Sequence, residues 1–282
     1  MALDFFTDFD HTLHIMSLIS VIIPVYNEEQ NLPILHKELM EVLGGLADQF
    51  EIVYVNDGSR DKSAEILKLI AGNDERIKVV LFARNFGQTA ALAAGIAEAK
   101  GDILIFSDSD LQNDPHDIPR MLQKIEEGYD VVSGWRKDRK DKAISRRLPS
   151  WLANALISKI TGIHLHDFGC TLKAYRRRVI EGVHLYGEMH RFIPAYAAWY
   201  GARVTELVGN HRARIHGTSK YGINRTFKVL LDLLFVKYWA SFRSKPMHFF
   251  GGMGALLILF GVLCGILALY LKFALHISFI ST

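Results

Sequence analysis

Between residues 17 and 135, five short runs rich in Val and Ile alternate with stretches of helical character, and few architectures accept that rhythm. The runs are "LISVIIPVY" (18–26), "EIVYVND" (51–57), "IKVVLFA" (77–83), "DILIFSD" (102–108) and "DVVSGW" (130–135). Between them, residues 28–43, 61–71, 87–99 and 116–127 suit helices. Strands covered on both faces read as near-continuous apolar runs, and strand–helix alternation builds a mostly parallel sheet with helices on either side. The expected class is therefore α/β, with a Rossmann-like, mostly parallel sheet. Ligands of such sheets bind beyond the carboxyl ends of the strands. The polar clusters of this half all fall there: Asn27-Glu28, Asn56-Asp57-Gly58-Ser59, Arg84-Asn85 and "SDSDLQND" (107–114). One such cluster would be a helix cap, as Ser59 and Asp61 could be. Four on one rim make a site.

The last cluster carries the most chemistry. A D-x-D spacing alone is weak, since it recurs at Asp8–Asp10 with no strand before it. Here it leaves a buried strand. In an extended segment Asp108, Asp110 and Gln112 alternate with Ser109 and Leu111, so the three oxygen-bearing side chains share one face. Hard cations such as Mg2+ take oxygen ligands and keep substrate phosphates in their shell. Two carboxylates and an amide leave room for a diphosphate.

The ordered set "VIIPVYNEE", "VNDGS", "ARNFGQ", "DSDLQ", "DFGCTLKAYRR" and "GTSKYG" resembles glycosyltransferase family 2 over residues 17 to about 245. Within it the chain is most similar to membrane-bound polyprenyl-phosphate sugar transferases of the dolichyl-phosphate mannose and bactoprenyl-phosphate glucose type. The resemblance implies a GT-A fold and a nucleotide-sugar donor. Pro24, Tyr26, Glu28 and Asp57 would line the base and ribose, with Asn27 and Arg84 on the same rim. Asp108, Asp110 and Gln112 would hold Mg2+ or Mn2+ against the donor diphosphate. Asp167 matches an aspartate proposed as catalytic, and Asp110 joins it through the metal. Whether Asp167 acts as base or positions Lys173 or an arginine stays open at this stage. Arg136 and Arg146 or Arg147 fall in a loop closing over the acceptor. His190, Arg191, Arg212, Arg214, Ser219 and Lys220 match positions near the acceptor phosphate, although His190 could equally be structural. The implied reaction is inverting transfer of a single hexose to a polyprenyl phosphate, with UDP-glucose favoured as donor and GDP-mannose next. The resemblance also allows a homo-oligomer.

The remaining organisation follows from charge and hydropathy. From Met247 to Leu271, 25 residues carry no Asp, Glu, Lys or Arg, enough for a transmembrane helix. Lys237, Arg243 and Lys245 precede this span and only Lys272 follows, which puts the large domain in the cytosol, at the cytoplasmic membrane. Phe227, Leu230, Leu231, Leu234, Tyr238, Trp239 and Phe242 recur at helical spacing, as in an amphipathic helix lying at the bilayer surface. The expected division is an N-terminal extension (1–16), a GT-A catalytic domain (17–222), an interfacial amphipathic helix (223–245), a transmembrane helix (246–272) and a short tail (273–282), either a single-span terminus or a truncated second span. The net charge is only +3, but seven Lys/Arg face two Asp over 136–147, and eight face one over 210–245. An anionic partner is expected, and beside a bilayer span that is lipid phosphate rather than nucleic acid. Cys170 and Cys264 have neither disulfide nor metal-site spacing, as expected in a reducing compartment. The first ten residues are acidic where a secretory signal would be basic. Among rivals, a processive polysaccharide synthase would add a Gln/Arg-rich acceptor motif and more membrane helices. A non-catalytic nucleotide-sugar binder would have lost metal or acceptor residues, all of which are present here.

Overall fold

A computed structural model describes residues 17–46, 49–137, 154–155, 157–181, 183, 187, 189–215, 238, 242 and 245–274. The chain divides into two compact units, Met1–Leu233 and Leu234–Thr282.

The first unit is a seven-stranded sheet: β1 (Ile19–Val25), β2 (Phe50–Asn56), β3 (Ile77–Leu81), β4 (Ile103–Phe106), β5 (Val131–Trp135), β6 (Lys173–Arg176) and β7 (Val204–Val208). Their order is β3-β2-β1-β4-β6-β5-β7. Every neighbouring pair is parallel except those made by β6, which runs antiparallel to β4 and β5. The α/β class is as expected from the alternation. Strands β6 and β7 extend the sheet beyond the five apolar runs. They are short and half polar, and Lys173 sits buried within β6, so neither reads as a hydrophobic run.

Helices cover both faces. On one side α1 (Leu32–Gly44), α2 (Ser63–Asn73) and α4 (Ile118–Glu126) pack Leu35, Leu39, Leu67, Met121 and Ile125 against Val21, Ile23, Ile52, Tyr54 and Ile105. On the other, α3 (Gln88–Glu98) and α5 (Ile193–Trp199) bring Ala91, Leu92, Ile193 and Ala197 onto Ile22, Val53, Val55, Leu104 and Phe106. Successive strand residues therefore serve opposite layers, as the pleat requires. Helix α1 begins at Leu32, four residues later than expected. Residues 28–31 form a turn closed by Asn31 and Leu32 N–H groups on the Glu28 carbonyl, and Pro33 sits in the helix's first turn.

Two contacts set the site's foundations. The ladder between β1 and β4 runs only from Ile19↔Ile103 to Ile22↔Phe106. Pro24, with no N–H to offer, lies just past its end, and the Ser109 hydroxyl donates to the Pro24 carbonyl at 2.9 Å. The strand order also reverses between β1 and β4, which opens a crevice at their carboxyl ends. Behind it, Gly95 of α3 lies flat on β1: a Cβ there would stand 2.3 Å from Ile22 Cγ2 and 3.3 Å from Val55 Cγ2.

In the second unit, α6 (Pro246–Ala274) is the one described helix long and apolar enough to cross a membrane, with mean hydropathy 2.6. Its 29 residues span about 43 Å, more than the ~30 Å of a hydrocarbon core. Of the expected interfacial helix only Tyr238, Phe242 and Lys245 are described. The Tyr238 and Phe242 rings pack on Phe249 at 5.1 and 5.2 Å, and Tyr238 also meets Phe250 at 5.8 Å. The N-terminal extension and the tail beyond Ala274 lie outside the described residues.

The close seat of α3 has a measurable cost if filled. Gly95→Ala should lower the stability of the full chain in detergent by about 1–3 kcal/mol. Ile22→Ala, which removes that Cγ2, should cost less in the Gly95→Ala background than in the wild type in denaturant unfolding. Simple additivity of the two changes would contradict the contact.

Candidate active site

The crevice between β1 and β4 gathers four groups of side chains, each delivered by a strand end or a first helical turn. The acidic group comes from the loop after β4. That strand stops at Phe106, so Asp108, Asp110 and Gln112 do not alternate along an extended segment as expected from their spacing. A turn brings them round instead. Leu111 is buried with φ +61°, in the left-handed region, and Gln112 N donates to Asp110 Oδ1 at 3.1 Å. Such backbone strain is held only where surroundings over-determine it, and is common at functional sites. The preceding rim residue Asn27 shares it, with φ +54°.

Across from these oxygens lies Arg214. Its guanidinium bonds Asp110 Oδ2, reaches Gln112 Oε1 at 3.3 Å and stands 3.8 Å from Glu28 Oε1. It is carried by a strap, 209–215, that is fastened on all sides. Asn210 bonds Asp114 and Asp117, His211 bridges to Asn113, and Arg212 N donates to the Gln112 carbonyl. Arg212 itself pairs with Glu38 of α1 at 2.8 Å and Asp114 at 2.6 Å. The structure thus commits Arg212 to holding the strap, whereas the resemblance had it beside the acceptor phosphate. Burial pushes the Asp114 carboxyl up, but bonds from His116, Arg212 and Asn210 outweigh it and bring it to about 2.

A second carboxylate anchors the basic group. Asp167 accepts from Arg136 through both oxygens, Nε–Oδ2 at 2.7 Å and Nη2–Oδ1 at 2.9 Å, and from Gly169 N at 3.0 Å. From behind, Glu206 of β7 accepts the backbone N–H groups of His166 and Asp167. Burial opposes the Arg136 charge, but Asp167 outweighs it, with Cys170 and Asp108 adding, and its pKa is pushed up. A Cβ on Gly169 would lie 3.2 Å from Arg136 Nη2 and 3.7 Å from Arg191 Nη1, so two guanidiniums converge on that point. Beneath them Lys173 is buried, its ammonium donating to the Phe168 carbonyl at 3.2 Å and to the Cys170 carbonyl. Burial brings its pKa down to about 8.

The nucleotide-side residues are tied to one another. Asn27 Oδ1 accepts from Arg60 N at 2.7 Å, while Asn27 N and Glu28 N donate to Ser59 and Ser63 hydroxyls. Glu28 accepts the Asn31 amide, and Tyr26 stands partly exposed at the end of β1. Asp57 is buried and accepts from Phe86 N at 2.6 Å, Gly87 N at 2.9 Å and Asn85 Nδ2 at 2.9 Å. Burial raises its carboxyl pKa despite these bonds. The close approach needs Gly58 (φ +65°), since a Cβ there would sit 2.3 Å from the Arg84 carbonyl carbon. The Arg84 guanidinium lies over the Phe86 ring at 4.6 Å.

The fourth group is the first turn of α3. Gln88 Nε2 donates to Asp108 Oδ1 at 2.8 Å, and Thr89 Oγ1 stands 2.7 Å from His190 Nδ1. Neither residue was singled out from the sequence, although "ARNFGQ" ends on Gln88. Glu206 carried no signal in a strand of ordinary composition. Arg146, Arg147, Ser219 and Lys220 lie outside the described residues.

The donor set suits a hard divalent cation. Among the described residues no group of three or more His, Cys, Asp or Glu is assembled for a metal. Asp108 and Asp110 would need Gln112 and phosphate oxygens to complete a shell, which is how Mg2+ is usually held. The Arg214 guanidinium, drawn onto the same oxygens, shows that they demand positive charge.

Comparison with known proteins gives the family and the fold. The family profile described as "Glycosyl transferase family 2" matches residues 20–183. The chain belongs to that family. It is 44% identical over 259 residues to the dodecaprenyl-phosphate galacturonate synthase of Rhizobium johnstonii, covering 90% of this chain and 76% of that protein. It is 39% identical over 260 residues to the undecaprenyl-phosphate 4-deoxy-4-formamido-L-arabinose transferase of Pseudomonas paraeruginosa, covering 92% and 75%. Among solved structures, glucosyl-3-phosphoglycerate synthase from Mycobacterium tuberculosis with Mn2+, UDP-glucose and phosphoglyceric acid aligns with TM-score 0.57. The identity is 20%, over 78% of this chain and 79% of that one, and shows the fold. The same enzyme with Mg2+ and UDP aligns with TM-score 0.55. This family member is a glycosyltransferase.

The buried amine of this transferase makes its stability depend on pH. The unfolded chain keeps the Lys173 proton to about pH 10.5, whereas the folded one releases it near pH 8. The unfolded state therefore binds more protons between those values, and this contribution to stability rises with pH. From pH 7 to 9 the wild type should gain on the order of 1 kcal/mol over Lys173→Met in denaturant unfolding. The comparison variant retains Cys170, whose thiol burial pushes up to about 11 and which acts in the opposite sense. Parallel pH curves would contradict a buried, titrating amine.

Proposed function

We propose that the protein transfers a single glycosyl residue from a nucleoside-diphosphate sugar to a polyprenyl phosphate at the cytosolic face of a membrane. The supporting observation is the meeting of opposite charge in one crevice. The oxygens of Asp108, Asp110 and Gln112 lie on one side, and the Arg136 and Arg191 guanidiniums converge at Gly169 on the other. The first set suits a metal-bound diphosphate, the second a phosphate monoester. Polyprenyl phosphate as acceptor draws on the names of the relatives, and the cytosolic face on the basic flank of α6.

Asp108, Asp110 and Gln112 would hold Mg2+ or Mn2+, which when bound neutralises the departing nucleoside diphosphate as a Lewis acid. Pro24, Tyr26, Asn27 and Glu28 line the donor's side of the crevice. Asp57 serves that side indirectly, by holding loop 85–87. Arg214, already on the oxygens of Asp110 and Gln112, would help balance the charge of the diphosphate. Arg136 and Arg191 orient the acceptor phosphate, whose oxygens a planar guanidinium grips in pairs. A phosphate monoester is largely dianionic at neutral pH, its second pKa being about 6, so it attacks without needing a strong base. Asp167, with both oxygens already given to Arg136, is then the group that orients the arginine, rather than the base. Attack from the face opposite the leaving group inverts the anomeric carbon.

The family resemblance alone favours UDP-glucose, then GDP-mannose. The relatives' names put galacturonate and a 4-deoxy-4-formamido pentose ahead of both. A radiolabel assay on membranes holding the full chain, with undecaprenyl phosphate and Mg2+, should offer the activated form of each sugar in turn. Label entering the organic phase with one donor fixes reaction and sugar together. Asp110→Ala should cut that transfer at least 100-fold with the fold intact, as befits loss of a leaving-group stabiliser. Full activity in Asp110→Ala would sink the metal assignment. Donor binding without lipid-linked label from any sugar would point to a non-catalytic binder.

A further inference from the structure

The first turn of α3 holds two polar side chains that reach away from their own helix. No side chain caps α3, whose N-cap is Gly87. Gln88 and Thr89 instead reach outward in two directions. The Gln88 amide donates to Asp108 Oδ1 at 2.8 Å and stands 3.5 Å from Thr171 Oγ1, in the segment that follows Asp167. The Thr89 hydroxyl donates to the Gly187 carbonyl. Its single proton being spent there, Thr89 Oγ1 accepts at 2.7 Å from His190, which places a proton on Nδ1. Thr89 and His190 are both buried.

The turn that presents them is rigid by construction. Asp57 pins the N–H groups of Phe86 and Gly87 immediately before it, and Gly95 seats the helix against Ile22 and Val55 two turns later. Side chains on such a base can fix the orientation of what they touch. A carboxylate held through one oxygen presents its other lone pairs in a set direction, and outer-shell partners of this kind tune metal affinity.

We propose that Gln88 and Thr89 are positioning residues with separable duties: Gln88 orients the metal-side carboxylate Asp108, and Thr89 orients His190 on the acceptor side. The division rests on the metal-dependent transfer reading above. It also implies that one helical turn registers the donor half of the site against the acceptor half.

The test uses the full chain in detergent. Free Mn2+ is read by electron paramagnetic resonance during titration at a fixed UDP concentration, since phosphate oxygens complete the proposed shell, with no sugar or lipid present, and KM for undecaprenyl phosphate is measured separately. Gln88→Leu should weaken Mn2+ binding roughly 10- to 100-fold and leave the acceptor KM within about twofold. Thr89→Val should raise the acceptor KM roughly three- to tenfold, the loss of one hydrogen bond, and leave the Mn2+ affinity unmoved. Thr89→Ser should restore it. If Gln88→Leu fails to fold, Gln88→Met, of similar length with no N–H to give and no charge, carries the same expectation. Equal shifts of both quantities in both variants would reduce the pair to a structural role and overturn the proposal, as would no shift in either. Wild type that binds no Mn2+ would instead overturn the metal reading, and this inference with it.

Discussion

The parting of β1 from β4 is the constraint on which the site depends. Their ladder ends at Ile22↔Phe106, and the strand order reverses at the same place. A proline there has no N–H with which to continue the ladder. Each chain must then find new partners for its backbone. Ser109 answers Pro24, Ser107 N answers the Ile22 carbonyl, and the left-handed residues Asn27 and Leu111 turn the two chains away from each other. The oxygens of Glu28, Asp110 and Gln112 face one another only because these turns aim them inward. A strand that continued straight would have sent alternate side chains to opposite faces.

Charge is then arranged in pairs that leave little exposed. Asp167 takes Arg136, Asp110 takes Arg214, and Asp114 with Glu38 takes Arg212. Burying one ion without its partner would cost several kcal/mol, so each pair holds both members in register. For the strap this means rigidity: three successive residues, Asn210, His211 and Arg212, are fastened before Arg214 is reached. Beneath Gly169 it brings Arg136, Arg191 and Lys173 close to the carboxylate of Asp167.

What could be read from the sequence was whatever repeats or sits at a strand end. Four apolar runs fell out because β1, β2, β4 and β5 are buried on both faces and so uniformly hydrophobic. The edge strand β3 was legible too, through its Val-rich run. Strands β6 and β7 were not, since four or five residues including Lys173 or Glu206 have no apolar signature. For the acidic segment the expected pleat is absent: Asp110 and Gln112 meet at Arg214 through a turn at Leu111. Pairing was the least legible property. Nothing in local sequence says that Arg212 reaches Glu38, 174 positions away, or that Gln88 reaches Asp108. Such partners are chosen by the fold, and residue type supplies only the capacity to pair.

Arg214 makes that last point mechanistically. Two carboxylates and an amide crowded at a crevice repel one another, and in the free protein a guanidinium supplies the counter-charge. A divalent ion bound as proposed would prefer the same oxygens at shorter range, so the two cations would compete. Because the strap is fastened up to Arg212, the side chain of Arg214 can give way without the backbone following. A displaced guanidinium on so short a tether would stay beside Glu28, 3.8 Å away, and could meet the diphosphate that the same oxygens would help to hold. The arginine would thus pass from balancing the empty carboxylates to balancing the loaded donor. The acidic cluster would never be left without compensation at any stage of the cycle.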